Sequence, residues 1–424
     1  MINILKSILN FKKLENKSVK NIQNISLDTK VFKIFSSIEK YSEKSEVRYV
    51  GGCIRKILNF EKVDDIDLAA NINPKEIMEV LKENKIDYYK TGIDHGTITA
   101  KIDGQNFEIT SLRKDISTDG RHAKVEYSKD WLADASRRDF TINSLYADLE
   151  GNLYDPFNGR EDLKNGIVKF IGDPEKRIKE DYLRILRYIR FFLKYSKVNH
   201  EDTVKKIIKK NISGISKISS DRLLNELKKL IKSDQFLNLF SDNFCLEIIQ
   251  LIFPQLKNIH LFKKLDNYSY QNLKLNDFTF ILSLLVIDNS DNSEYFLYKF
   301  NLSNNQKKRI RFLKEFYIKS LDKNFYTEKN LSKLFYIHGK NSIIDLLNFA
   351  IFLSKKNNKK LIKLKEFYNN QPMPVFPVKA KELITKYNLK EGAELGKKLK
   401  KIEEIWIDNY FKISEKDIDK IINT

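Results

Sequence analysis

Three carboxylates in this chain are spaced so that they could share a cation. In Asp65-Ile66-Asp67 the acids alternate with Ile66 and Leu68, as in a strand with both carboxylates on one face. Two such carboxylates repel unless something positive lies between them, and a pair of divalent ions is the usual solution. A second alternating run puts Phe107 and Ile109 on one face and Glu108 on the other. If the two strands are neighbours, Glu108 becomes the third ligand. Three hard oxygen donors suit two Mg²⁺ ions and in-line displacement at phosphorus, one ion activating the attacking hydroxyl and the other neutralising the leaving group. An Asp-x-Asp pair alone is common on surface strands and loops, so its surroundings have to decide.

Gly51-Gly52 lies thirteen residues before Asp65, counted from Gly52. A glycine pair between a strand and a helix lets backbone amides approach a phosphate closely, and the helix N-terminus adds positive potential. Arg55, about one turn into that helix, could hold a triphosphate oxygen. An ordinary tight turn would need only one glycine.

The elements that must position these groups can be read from the same stretch. Arg48–Val50 predicts a short strand, Cys53–Leu58 a short helix and Asp65–Ala69 a second strand. Asn73-Pro74 opens an amphipathic helix that runs through Glu83. Thr97–Ile102 and Gln105–Leu112 flank Asp103-Gly104, the strongest short-range hairpin signal. Mixed α/β texture lasts to about Gly166. Helical spacing then takes over, in Glu175–Tyr195, Glu201–Lys209, Asp221–Lys232 and many later segments. Three prolines between Asn370 and Pro377 mark a late linker, and a last helical unit follows from Lys379.

At 424 residues the chain is too long for one hydrophobic core, and two to four domains are expected. Hydrophobic residues at 42% and charged residues at 32% predict a globular protein rather than a disordered one. Only 14 Gly and 7 Pro argue against all-β and collagen-like classes. Cys53 and Cys245 are too few for a disulfide scaffold or a zinc site built of cysteines, which points to a reducing compartment. No apolar run approaches the roughly 20 residues that cross a bilayer, so a soluble, intracellular chain is expected, with no membrane partner. The 77 Lys+Arg against 57 Asp+Glu give a net charge of +20, the balance of a protein with a polyanionic partner. The lysines are spread along the chain, so compositional bias of the source is the plain alternative for the excess. Residues 1–30 are basic and read as an N-terminal extension or a mitochondrial-type presequence.

Gly51-Gly52-Cys53-Ile54-Arg55 followed by Asp65-Ile66-Asp67 resembles motif A of the class II tRNA nucleotidyltransferase and poly(A) polymerase family. Arg137-Arg138-Asp139-Phe140-Thr141-Ile142-Asn143-Ser144 resembles its motif B, and Asp155-Pro156-Phe157-Asn158-Gly159 its motif C. Glu180-Asp181-Tyr182-Leu183-Arg184, with Arg187 and Arg190, resembles motif D; Ser220-Asp221-Arg222 with Glu226 resembles motif E. The matches come in family order across about residues 47–230. One departure is Lys56, where the family usually has Asp.

The resemblance implies roles. Arg137 and Arg138 would contact phosphate or ribose, and Asp139 would accept from the ribose 2′-hydroxyl that separates ribonucleotides from deoxyribonucleotides. Asp181 and Arg184, three apart on one helix face, would pair with the Watson–Crick edge of CTP and then ATP and so serve as the template. Arg187 and Arg190 would meet the triphosphate. A bare i,i+3 salt bridge is the plain alternative for Asp181 and Arg184. The Asp115–Asp134 region, with Asp119 and Arg121 in the turn-rich Thr118–His122, would be the flexible loop needed to switch from C to A. His95 reads as a turn or sheet residue and Cys53 as a packed one. Lys397, Lys398, Lys400 and Lys401 make the best late basic cluster, beside Trp406, which reads as core.

The fold expected is thus α+β: a polymerase-beta-like nucleotidyltransferase head with a mixed sheet, followed by an all-α neck, body and tail. Residues 1–30 would be an extension, 31–166 the head, 167–232 the neck that recognises the base, 233–369 the body and 370–424 the tail. The expected activity is template-independent, Mg²⁺-dependent addition of the 3′ CCA of tRNA from CTP and ATP, with the body and tail holding tRNA by shape and phosphate contacts. A poly(A) polymerase or a CC-adding enzyme of the same family, and an inactive RNA-binding protein, are the rivals. Gly92-Ile93-Asp94-His95-Gly96-Thr97 stands where poly(A) polymerases usually carry a Gly-Arg-Arg-Phe-like run, which favours CCA addition. The expected compartment is a bacterial-type cytoplasm, with the mitochondrial matrix as the alternative.

Overall fold

Alternation of buried and exposed side chains builds the sheet that carries the carboxylates. The computed structural model describes residues 19–24, 28–118, 123–320, 325–354 and 359–423. The chain divides into two compact units, Met1–Ile252 and Phe253–Thr424.

In the first unit the strands are β1 (Val47–Val50), β2 (Asp67–Ala70), β3 (Asp87–Gly92), β4 (Thr97–Ile102), β5 (Gln105–Ser111), β6 (Arg113–Thr118), β7 (Ala123–Tyr127), β8 (Tyr146–Ala147) and β9 (Leu153–Tyr154). Seven of them form one sheet in the order β3-β4-β5-β2-β1-β8-β9, and β6 pairs with β7 in a separate ribbon. The predicted hairpin forms, with Ile102 opposite Gln105 across the Asp103-Gly104 turn. Only the β2–β5 pair is parallel among these pairings. That arrangement needs a crossover, and the chain between β2 and β5 supplies it with the helix Pro74–Glu83 and two more strands. Asn73 starts this helix with a capping box: its side chain accepts from Glu76 N at 3.1 Å while Glu76 accepts from Asn73 N at 2.7 Å. Ile77, Val80 and Leu81 of that helix join Phe35, Leu68, Ile98, Phe107 and Ile109 in one apolar core. Each large side chain buried there stabilises the head by about 1.5–3 kcal/mol.

Two expectations need correction. The second strand begins at Asp67, and Asp65 with Ile66 lies in the coil before it. On the β1 side the register with β2 stops at Tyr49 opposite Leu68, because the chain leaves the strand at Gly51 and enters the helix Gly52–Leu58. The long helix expected over Glu175–Tyr195 is broken into Pro174–Glu180 and Leu183–Tyr195. Asp181 is extended, with φ −152° and ψ 103°, and its carboxylate accepts from Leu183 N at 3.1 Å. A short acidic side chain that bonds its own backbone competes with the helix ladder.

Further helices of the first unit are Asp202–Asn211, Ser220–Ile231 and Asn243–Ile252. The second unit is helical throughout its named elements, from Asn267–Leu273 to Glu415–Ile422. Its described residues form separate clusters around Leu331, Ile343 and Leu347 and around Leu383, Ile402 and Ile422. Trp406 packs against Tyr336, Phe376 and Phe411, as a core residue does. Among the described residues no helix is long and apolar enough to cross a membrane.

Candidate active site

Strand β1 gives way to Gly51, which takes a positive φ of 64° that costs other residues strain and so re-aims the chain into the helix Gly52–Leu58. A side chain at Gly52 would meet Asp67 Oδ2 at 3.7 Å, an ordinary contact. The fold therefore does not demand the second glycine; its bareness keeps open the space in front of Asp67. Arg55 is carried inward by the same helix, is 8% exposed, and donates to the Asn143 side chain from motif B. Its Nε is buried with no hydrogen-bond partner.

Asp67 is the register partner of Glu108 in the parallel β2–β5 pair. Burial, then the Glu108 and Asp65 carboxylates, push the Asp67 carboxyl above its ordinary range, with Arg138 and Arg55 opposing. Accumulated negative charge on hard oxygen donors is what a divalent cation relieves, so these residues fit one. Cys53 is fully buried beside them, its thiol donating to Val50 O at 3.3 Å and pushed up to about 11 by burial and by Asp67. It is a packed thiol and no nucleophile.

Motif B is held by a residue that the sequence reading passed over. Asp134, 1% exposed, accepts from Arg137, Arg138 and the Tyr146 hydroxyl at 2.6, 3.1 and 2.7 Å. Burial would raise its carboxyl, but Arg138 and Arg137 hold it at about 2. Its spacing of three and four residues from the two arginines was the available signal. Asp139 is also buried. Its Oδ1 accepts from Asn143 at 2.8 Å and its Oδ2 from Arg187 at 2.6 Å. Against burial, Arg187 keeps this carboxyl near 2. Motif C is scaffolding for motif B. Gly159 approaches so closely that a Cβ would lie 2.1 Å from Thr141 O, and Asp155 accepts from Gly159 N and Arg160 N at 2.8 and 2.9 Å.

Motif D brings the other wall. The side chains of Asp181 and Arg184 do not pair with each other: Asp181 Oδ2 pairs with Arg222 at 2.7 Å, and Arg184 pairs with Glu180 at 2.6 Å. The simple i,i+3 salt bridge is therefore absent. Arg187 and Arg190 follow on the helix Leu183–Tyr195, and both reach the buried Glu226 of motif E, at 3.6 and 2.8 Å. Guanidiniums of Arg190, Arg55 and Arg187 lie 4.3, 4.8 and 5.5 Å from the Phe191 ring centre. The aromatic face favours cations, so Phe191 gathers three of them. Arg177, likewise unforeseen, donates to the backbone carbonyls of Arg137 and Arg138.

A cleft of about 580 Å³ brings these parts together. Gly51, Gly52, Arg55, Asp65, Asp67, Arg137, Arg138, Asp139, Asp181, Arg184, Arg187 and Arg190 all line it, as do Lys56, Asn143 and Lys229. Eight of the lining side chains are cationic and four anionic. That suits a polyanion held at one end by a cation and at the other by guanidiniums. Glu108, exposed on β5, reaches the group through its register with Asp67. Asp119 and Arg121 lie outside the described residues, between β6 and β7.

Comparison with known proteins agrees with this layout. Residues 47–169 match the family model described as poly A polymerase head domain. Residues 199–259 match the one described as probable RNA and SrmB-binding site of polymerase A. The human mitochondrial CCA tRNA nucleotidyltransferase 1 is 46% identical over 195 residues, 45% of this chain and 44% of that relative, so the chain spans less than half of that relative's length. A CCA-adding enzyme of Lactobacillus helveticus is 31% identical over 384 residues, covering 89% of this chain and 92% of the relative. The structure of the Bacillus stearothermophilus CCA-adding enzyme in complex with CTP superposes with a TM-score of 0.68 at 18% identity, covering 92% of this chain and 95% of that one. It shares the expected α+β architecture. A relative aligned over nine-tenths of both chains, with the head and RNA-binding models matched in order, leaves one conclusion: the chain belongs to the CCA-adding tRNA nucleotidyltransferase family.

Proposed function

We propose that this protein builds and repairs the 3′-terminal CCA of tRNA, taking CTP twice and ATP once, with no nucleic-acid template. The observation that carries this reading is one cleft lined by Asp65 and Asp67 together with Asp181 and Arg184, a polar pair not spent on each other. The names of the human and bacterial relatives, and the CTP complex of the structural neighbour, support it.

Asp65, Asp67 and Glu108 hold divalent metal, two Mg²⁺ ions in our reading. Bound there, the ions would lower the pKa of the attacking 3′-hydroxyl and neutralise the charge that develops on the leaving pyrophosphate. The tRNA 3′-oxygen forms a bond to the α-phosphorus as the α–β phosphoanhydride bond breaks. Arg55, Arg138, Arg187 and Arg190 bind the triphosphate and fix it in line. Asp139, held by Arg187 and Asn143, has an acceptor oxygen to offer the ribose 2′-hydroxyl. Asp181 and Arg184 read the base. A carboxylate has about four acceptor sites and a guanidinium five N–H donors, so their contacts with Arg222, Glu180 and Arg177 O leave capacity for a nucleobase edge.

Residues 118–124 carry the switch from C to A addition. The helical second unit holds tRNA through phosphate contacts, and the buried, unpaired Cys53 and Cys245 suit a reducing cytoplasm. The test is purified protein with tRNA lacking CCA, given CTP and ATP singly and together. Two residues from CTP, one more when ATP is added, and a stop there are expected. A growing tail from ATP alone would instead identify a poly(A) polymerase.

A further inference from the structure

Away from the cleft, a second group of metal-binding side chains converges in the first unit. His200 Nε2 lies 2.9 Å from Asp242 Oδ2 and 3.5 Å from Cys245 Sγ, and the three ligand atoms lie within 4.8 Å of one another. We propose that His200, Asp242 and Cys245 form a site for one borderline-soft divalent transition-metal ion, with Zn²⁺ the best fit.

The chemistry of the set argues for this class. A thiolate, an imidazole and a carboxylate together favour Zn²⁺ over Mg²⁺ or Ca²⁺, which take oxygen donors. Zinc–ligand bonds of about 2.0–2.3 Å in a tetrahedron put ligand atoms roughly 3.3–3.8 Å apart. The Cys245–His200 spacing already falls in that range, and the His200–Asp242 spacing has to open by a few tenths of an ångström.

The remaining atoms of each ligand are already tied down. His200 Nδ1 faces the Tyr188 hydroxyl at 2.9 Å, so a ring that gives Nε2 to a metal donates its Nδ1–H there. Asp242 Oδ1 accepts from Cys245 N at 2.9 Å, which leaves Oδ2 for the ion. The imidazole is stacked on Phe192 at 3.5 Å with the planes 14° apart, which fixes its tilt. Second contacts of this kind set tautomer and orientation in metal sites. Cys245 is fully buried and the His200 side chain 8% exposed, whereas Asp242 is 21% exposed. The open side lies at the carboxylate, where a water molecule completes four-coordination.

Binding converts the Cys245 thiol to a thiolate, its proton leaving to solvent as the sulfur–metal bond forms. The ion would tie the segment after the helix Leu183–Tyr195 to the first turn of Asn243–Ile252. Tyr188, on the buried side of the helix that carries Arg184, Arg187 and Arg190, backs the site. The ion thus braces the nucleotide-binding helix from behind.

The experiment is a Co²⁺ titration of the chelator-stripped full chain in saturating Mg²⁺, followed by absorption. Thiolate-to-cobalt charge transfer in the near ultraviolet requires a cysteine ligand, so ions in the Asp65, Asp67 and Glu108 cluster do not produce it. One Co²⁺ per chain should give this band, with Zn²⁺ displacing it. Cys245→Ser should lose the band and Cys53→Ser should keep it. Tyr188→Phe should keep it while weakening affinity about 10–100-fold. A wild-type chain with no charge-transfer band at large Co²⁺ excess would overturn the proposal and leave a hydrogen-bonded His–Asp–Cys group only. So would a band that survives Cys245→Ser. The wild-type titration decides even if a variant does not fold.

Discussion

Asp67 on β2 and Glu108 on β5 are register partners in a parallel pair, although forty-one positions of chain separate them. Parallel pairing puts both side chains at the same height on the sheet, and the turn at Gly51 ends β1 where Asp65 must reach the group.

The first prediction follows from that pairing. Asp67→Ala or Glu108→Ala should cut incorporation of both CTP and ATP by at least about 10³-fold, since metal-borne charge stabilisation amounts to several kcal/mol. Binding of tRNA should stay near the wild-type level, because phosphate contacts elsewhere dominate affinity. Single-turnover incorporation and a filter-binding titration measure the two quantities. Normal turnover in either variant removes the metal assignment.

Asp134 should matter for stability. Replacing it by Asn leaves Arg137 and Arg138 without their buried counter-charge, and breaking such a pair costs about 3–5 kcal/mol. The sign of the pH effect is fixed by a carboxyl held at about 2 in the folded chain against its ordinary 3.8. The ionic contribution is complete above pH 4–5 and is lost as pH falls through 3.8 toward 2. Denaturation at pH 7 should show the full gap between wild type and Asp134→Asn, and at pH 3 a narrower one. A gap as wide at pH 3 as at pH 7 refutes the assignment.

Shortening residues 118–124 should spare CC addition and cripple the final A. Gel-resolved products from CTP alone and from CTP with ATP report both steps on one substrate. Equal loss of both would mean that the segment serves folding or general binding.

Much of this site was legible from residue order, for identifiable reasons. The Asp103-Gly104 turn determines its hairpin locally, and once that hairpin exists, alternation puts Glu108 on the polar face. The break at Asp181 was hidden because helical apolar spacing runs unbroken through Ile178, Tyr182, Ile185 and Ile189. What interrupts the helix is a side-chain bond to Leu183 N, reinforced by Arg222 from a distant helix. Arg177 was missed because it acts by holding the carbonyls of Arg137 and Arg138, about forty positions away, a role visible only once tertiary contacts are known. Asp134, by contrast, left a local signal in its spacing from those two arginines.

The central claim is that Asp181 and Arg184 read the base, and incorporation kinetics with each of the four triphosphates on tRNA ending before CCA test it most directly. Sites that hydrogen-bond their substrate reject analogues through buried groups left unpaired. Arg184→Ala removes donors that the base acceptors need, and Asp181→Ala removes the acceptor for the exocyclic amino group that cytosine and adenine share. Each variant should lose on the order of 1–3 kcal/mol of selectivity, with UTP admitted by Asp181→Ala. If instead both variants slow CTP, ATP, UTP and GTP by one common factor, the pair only supports the cleft, and the account of a protein template is contradicted.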